Sequence, residues 1–185
     1  MKLPLLAAAL SFVLAPVVVA QEGKEPPAGQ QGEMPKPGKE HQRLAAMVGT
    51  WDATMEMAGM PASKGVSTIT MTLGGFWLVD QFVADIGGMP FEGRGTTGYD
   101  PIKGKYVATW VDCWSSGLTV TEGSYDEKTK TLTMTGDGYD QMGQKVKVKH
   151  VTIHKDANTN VFEMFQTGTD GKEVKLMTVT YVRRK

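Results

Sequence analysis

Two histidines, His150 and His154, stand four apart on one segment, and two aspartates, Asp80 and Asp112, interrupt apolar stretches. These are the positions at which the sequence could do chemistry. A neutral imidazole can ligate haem iron or a transition metal. With Lys147 and Lys149 turned to solvent, both histidines share a strand face with Val146 and Val148. No third ligand follows at a readable spacing, so the ordinary reading is a strand histidine hydrogen-bonded to a neighbour, and no metal or cofactor is expected. Asp80 falls between Leu78 and Phe82, and Asp112 has the strand parity of Tyr106 and Trp110. A carboxylate on an apolar face is costly unless paired or hydrogen-bonded. Turned inward, either aspartate could orient a ligand's polar head or act as acid or base; turned outward, neither could.

Two further patterns fail on context. Gly93-Arg94-Gly95-Thr96-Thr97-Gly98 matches the glycine spacing of a dinucleotide site, but such a site needs a helix N-terminus after the glycines. Here Tyr99-Asp100-Pro101-Ile102-Lys103-Gly104 reads as a hairpin turn leading into another strand, so the glycines read as bends or close backbone packing. Asp156, Asn158 and Asn160 repeat the first half of a calcium loop. Val161 then stands where that loop needs glycine and Thr167 where it needs glutamate, which leaves an Asx turn at a hairpin tip.

The elements that must position these residues are strands. Trp51, Ala53, Met55 and Met57 alternate with Asp52, Thr54 and Glu56, and Ile69, Met71 and Leu73 alternate with threonines, the period of half-buried strands. Phe76 to Asp85 is apolar on both faces, so its outer face needs cover. Strands follow at Met89–Thr97, Tyr106–Cys113, Leu118–Ser124, Thr131–Thr135, Lys145–His154, Val161–Thr167 and Glu173–Arg183, each gap carrying hairpin residues. No gap holds a crossover helix, which excludes parallel βαβ units and predicts an all-β, antiparallel, up-and-down barrel of about ten strands. A two-sheet sandwich is the structural alternative. His41 to Met47 predicts two turns of amphipathic helix capping one barrel mouth.

The remaining chain divides simply. Residues 1–20, with Lys2, an apolar run from Leu3 to Val19 and small residues at Val18-Val19-Ala20, read as a signal peptide cleaved after Ala20. The run is short and carries Pro16, so a stable membrane span is not expected. The nearest cysteine is Cys113, too far to anchor a lipid near the cleavage site; as a lone cysteine it leaves an intermolecular bridge or a buried thiol, and the buried thiol is expected. Residues 21–40 are rich in proline and glycine and predict a disordered linker, leaving 41–185 as one β-barrel domain of periplasmic or secreted location. Twenty Lys and Arg balance twenty Asp and Glu with no basic cluster, so nucleic acid is not an expected partner.

Gly49-Thr50-Trp51, preceded by a short helix, resembles the G-x-W opening of lipocalins and other calycin-like barrels. That resemblance implies that Trp51 closes the barrel floor, with a last-strand cation, Arg183 or Arg184, over its ring. A wider pattern joins Leu44 to Trp51, Pro90-Phe91-Glu92-Gly93, Gly98-Tyr99-Asp100, Tyr106, Trp110, Asp112, Tyr181 and Arg183. It resembles an uncharacterised bacterial family known as domain of unknown function 1579, and implies a calycin-like barrel without any catalytic residues to transfer.

The function expected first is a non-enzymatic container for a small apolar or amphipathic molecule, since about ten strands leave more room inside than eight. Trp51, Met55, Phe82, Phe91 and Trp110 are its candidate walls, with Asp112 and His150 as polar anchors. The twelve methionines suit an adaptable lining. The second reading is an enzyme for a hydrophobic substrate using Asp80 or Asp112. The third is an envelope interaction module with a solid core, forming a homodimer through the Phe76–Val83 strand.

Overall fold

The computed structural model describes residues 34–139, 144–168 and 171–185; the expected signal peptide and most of the expected linker lie outside the described residues. From Lys36 the chain forms a short helix and a closed barrel. Helix α1 is Lys39–Ala45. The strands are β1 Gly49–Met57, β2 Ser63–Thr72, β3 Trp77–Ile86, β4 Met89–Asp100, β5 Lys105–Asp112, β6 Ser115–Asp126, β7 Thr131–Tyr139, β8 Lys145–Asp156, β9 Thr159–Thr167 and β10 Glu173–Arg183. Each strand pairs antiparallel with its sequence neighbours, and β1 closes the ring against β10. Closure leaves no sheet edge unpaired.

The register follows from side-chain alternation, because a one-residue slip would turn every inward residue outward. Trp51 opposes Arg183, Ala53 opposes Tyr181 and Met55 opposes Val179, all on the inner face. Inner residues of β3 are Leu78, Asp80, Phe82 and Ile86, so β3 delivers a carboxylate into a lining that is otherwise apolar. On its outer face, the Trp77 ring lies against the backbone of Gly98 in β4, while Val83 is half-exposed. The outer face of β3 is therefore covered only at its Trp77 end.

Helix α1 begins two residues before the expected start. The His41 side chain accepts the Gly38 N–H through Nδ1 at 3.1 Å, and its ring stands edge-on to Phe76 at 5.1 Å. Phe76 accordingly belongs to a 3₁₀ turn, Leu73–Gly75 and its cap, and not to β3. The helix ends before Met47, where the Met47 and Val48 N–H groups tighten onto Leu44 and Ala45 carbonyls. Leu44 is buried with Trp51, Ile69, Leu78, Tyr106, Leu132 and Met134, so the helix plugs one end of the barrel. Arg43 pins it from outside, donating to the Tyr106 hydroxyl at 2.5 Å and pairing with Glu127.

Candidate functional site

The barrel encloses a cavity of about 620 Å³. Its walls include Met55, Met57, Met134, Met164 and Met177, unbranched side chains that fit varied shapes. All seven residues singled out in the sequence, Trp51, Met55, Phe82, Phe91, Trp110, Asp112 and His150, reach this one space. A volume of this size overturns the solid interior that the interaction-module reading requires. It arises because ten strands hold the walls further apart than side chains from opposite sides can fill.

The floor is built by Trp51 and Arg183. Trp51 is 1% exposed, and its Nε1 donates to the Met47 carbonyl at 2.9 Å, which fixes the indole beneath the helix end. The guanidinium carbon of Arg183 lies 4.1 Å from the Trp51 ring centroid. The same guanidinium donates to the carbonyls of Val48 (2.5 Å), Ala46 (2.8 Å) and Ala157 (3.0 Å). One side chain thus ties β10 to the helix end and to the β8–β9 turn. Gly49 has φ +140°, and a Cβ there would sit 2.6 Å from Arg183 Nη1, so the glycine of the G-x-W tripeptide makes room for this clamp. Arg184 instead pairs with Asp52 on the outside.

Trp110 lies flat against β4. A Cβ on Gly93 would be 2.2 Å from its ring and one on Gly95 3.2 Å, so two of the glycines that mimic a nucleotide motif make space for an indole in the cavity wall. Asp112 holds that indole: it accepts from Trp110 Nε1 at 3.0 Å and from the Trp114 N–H at 3.0 Å. Its inward carboxylate is therefore a brace for the wall and for the β5–β6 turn. Cys113 sits in that turn and is exposed, contrary to the buried thiol expected; Asp112 before it points inward, so alternation gives Cys113 the outward side.

Asp80 is differently placed. Ser67 of β2, fully buried, donates its hydroxyl to Asp80 Oδ1 at 2.5 Å. Burial pushes the Asp80 carboxyl above its ordinary range, and the serine bond opposes that rise. Across two strands, Tyr181 of β10 feels the Asp80 charge, which adds to burial in raising its phenol. Ala53 of β1 and Ser67 of β2 present small side chains between them, so the carboxyl and the phenol face the same part of the cavity. Alternation alone could have flagged Ser67 and Tyr181 as inward polar residues; the sequence reading passes over Ser67 and names Tyr181 only as part of the family pattern.

His150 lines the cavity against Phe162, with ring centroids 5.3 Å apart, and burial lowers its pKa to about 4, so it is neutral near pH 7. His154 faces Asn160, with Nδ1 2.8 Å from Oδ1, and is also held neutral, chiefly by burial. Asn160 is thus an inner-face residue, while Asp156 accepts the Asn158 N–H at 2.7 Å at the hairpin tip, so the calcium-like trio does not converge. Among the described residues no group of three or more His, Cys, Asp or Glu side chains is placed to hold a metal ion.

The barrel is similar to the crystal structure of Rv2717c from M. tuberculosis, with 11% identity, 80% of this chain and 99% of that chain covered, and a TM-score of 0.57. It is also similar to the S-type phycobiliprotein lyase CPES from Guillardia theta, with 12% identity, 80% and 99% coverage, and a TM-score of 0.53. At such identities the likeness is one of fold. No curated protein sequence matches the chain. Residues 36–183 match the family described as "Protein of unknown function (DUF1579)", and the chain, a calycin-like barrel, belongs to that family.

Proposed function

We propose that this protein is an exported container that takes a small apolar or amphipathic molecule into its barrel. The observation that carries the reading is the cavity of about 620 Å³ walled by methionine and aromatic side chains. That volume falls in the range of sites that enclose a small organic ligand, and a mainly apolar lining with a few polar groups is the usual composition of such sites. Burying an apolar ligand there gains about 25 cal/mol per Å² removed from water, so a ligand offering 200 Å² of apolar surface gains about 5 kcal/mol before its losses of freedom. The likeness to a phycobiliprotein lyase agrees with a fold that handles small molecules.

Native mass spectrometry of gently purified protein, with and without a neutral apolar fluorophore, tests this reading. The expected result is a one-to-one complex, lost in an Ala108→Phe variant that adds a ring to the wall. A chain that retains and takes up no apolar molecule would contradict it. Export rests on the apolar Leu3–Val19 run followed by Ala20. A mature N-terminus at Gln21 in protein recovered outside the cytoplasm is expected, and an uncleaved cytoplasmic chain would refute that part.

A second reading, an enzyme acting on a hydrophobic substrate, is favoured by one observation: Asp80 is an inward carboxyl whose pKa burial raises, which suits a general acid or base. Its test is turnover of a bound ligand that stops in Asp80→Asn while binding persists.

A further inference from the structure

The cavity wall is electrostatically one-sided. Among the described residues it carries two carboxyl groups, Asp80 and Asp112, and no lysine or arginine. The two arginines at the helix-capped end are engaged outside this lining, Arg183 by three carbonyls and the Trp51 ring, Arg43 by Tyr106 and Glu127. His150, the remaining basic group of the wall, is neutral near pH 7.

The two carboxyl groups are not equivalent. Asp112 accepts from the Trp110 indole and the Trp114 backbone. Asp80 accepts from Ser67 through one oxygen, and a carboxylate has acceptor sites to spare beyond one such bond. Phe82, two residues after Asp80 on the same face of β3, stands edge-on to Tyr181, and a run of edge-to-face rings leads from there along the wall: Tyr181 to Phe82 at 6.4 Å, Phe82 to Phe91 at 6.0 Å, and Phe91 to Trp114 at 5.0 Å.

We propose that the cavity selects a cationic amphiphile, an apolar body ending in an ammonium group, with Asp80 as its counter-charge and the Tyr181 ring beside the cation. This deepens the container reading and rests on it. A buried carboxylate is costly without a compensating charge, and an ammonium supplies that charge while its N–H groups fill the free acceptor sites. An aromatic face next to a carboxylate is the usual surroundings of a bound organic cation. A fatty acid or a phosphate would set a second anion against Asp80 and Asp112 with no cation in the wall to offset it.

The test compares dodecylamine, dodecanol and dodecanoate, each below its aggregation concentration at pH 7, as displacers of the neutral fluorophore N-phenyl-1-naphthylamine. The amine should bind at least ten times more tightly than the alcohol, and the carboxylate more weakly than either. Asp80→Asn should bring the amine down to the level that the alcohol shows in the same variant, and a far-UV circular dichroism spectrum like that of the native protein shows that the variant is folded. Dodecanoate binding as well as the amine, or an amine preference that survives Asp80→Asn, overturns the proposal while the container reading stands. Failure of all three to displace the bound probe also overturns the proposal and leaves the container reading standing, whereas a protein that takes up neither the probe nor any of the three overturns both.

Discussion

The guanidinium of Arg183, the last residue of β10, stacks 4.1 Å from the ring of Trp51, the third residue of β1, so the two strands that close the barrel are locked by one cation over one indole. Its three bonds to backbone carbonyls add a fork geometry that an ammonium cannot reproduce. Arg183→Ala should therefore lower unfolding free energy by about 2 to 3 kcal/mol, and Arg183→Lys should recover less than half of that loss. Urea denaturation of the three proteins measures it; full recovery by lysine would show that charge alone matters.

Gly49 provides the space for that clamp. Gly49→Ala should cost about 2 kcal/mol, from the φ of +140° and from the 2.6 Å approach to Arg183 Nη1. In a double variant with Arg183→Ala the steric part vanishes, so the two losses should sum to less than their separate values. Strict additivity would mean that the glycine serves only its own backbone.

The two glycines under Trp110 should respond differently. Gly93→Ala places a Cβ 2.2 Å from the indole and must push it away from Asp112, whereas Gly95→Ala meets it at 3.2 Å and needs a small adjustment. A loss of about 2 kcal/mol with an altered tryptophan emission spectrum is expected for the first, and under about 1 kcal/mol for the second. Equal effects would argue that Trp110 is loosely held.

Acid should destabilise the barrel through His150. Its pKa falls from 6.5 to about 4 on folding, so the unfolded chain binds the extra proton between those values. The stability it contributes is complete above about pH 6.5 and is lost as pH falls to about 4, a drop of about 2 to 3 kcal/mol. His154 acts in the same direction, while Asp80, raised by burial, acts in the opposite one. The difference between the native protein and His150→Phe isolates the histidine. On acidification through this window the native protein should lose stability relative to His150→Phe, and a pH-independent difference would contradict the assignment.

Much of this was legible before any coordinates because the signal is local. Alternation in Trp51–Met57 and hairpin residues in every gap are enough to specify a meander, and with it the inward set that includes Phe82, Trp110 and His150. What escaped depends on places where alternation stops. Phe76 looks like strand but caps a 3₁₀ turn against His41, and Cys113, expected buried because it is a lone cysteine, lies just past β5 with the outward parity that inward Asp112 gives it. The Asp80 environment escaped for another reason: Ser67 and Tyr181 lie on β2 and β10, and only closure of β10 onto β1 brings the phenol near enough to feel the carboxyl's charge.

The most direct test of a ligand-taking barrel reads the methionine methyl groups by NMR, with [¹³C-methyl]methionine protein titrated with dodecylamine and, separately, with N-phenyl-1-naphthylamine. Met47, Met55, Met57, Met134, Met164 and Met177 line the cavity, whereas Met34, Met60 and Met89 are exposed outside it. Saturable shifts confined to the first group are predicted for both compounds. Shifts confined to the exposed methionines, or none at all, would contradict the account.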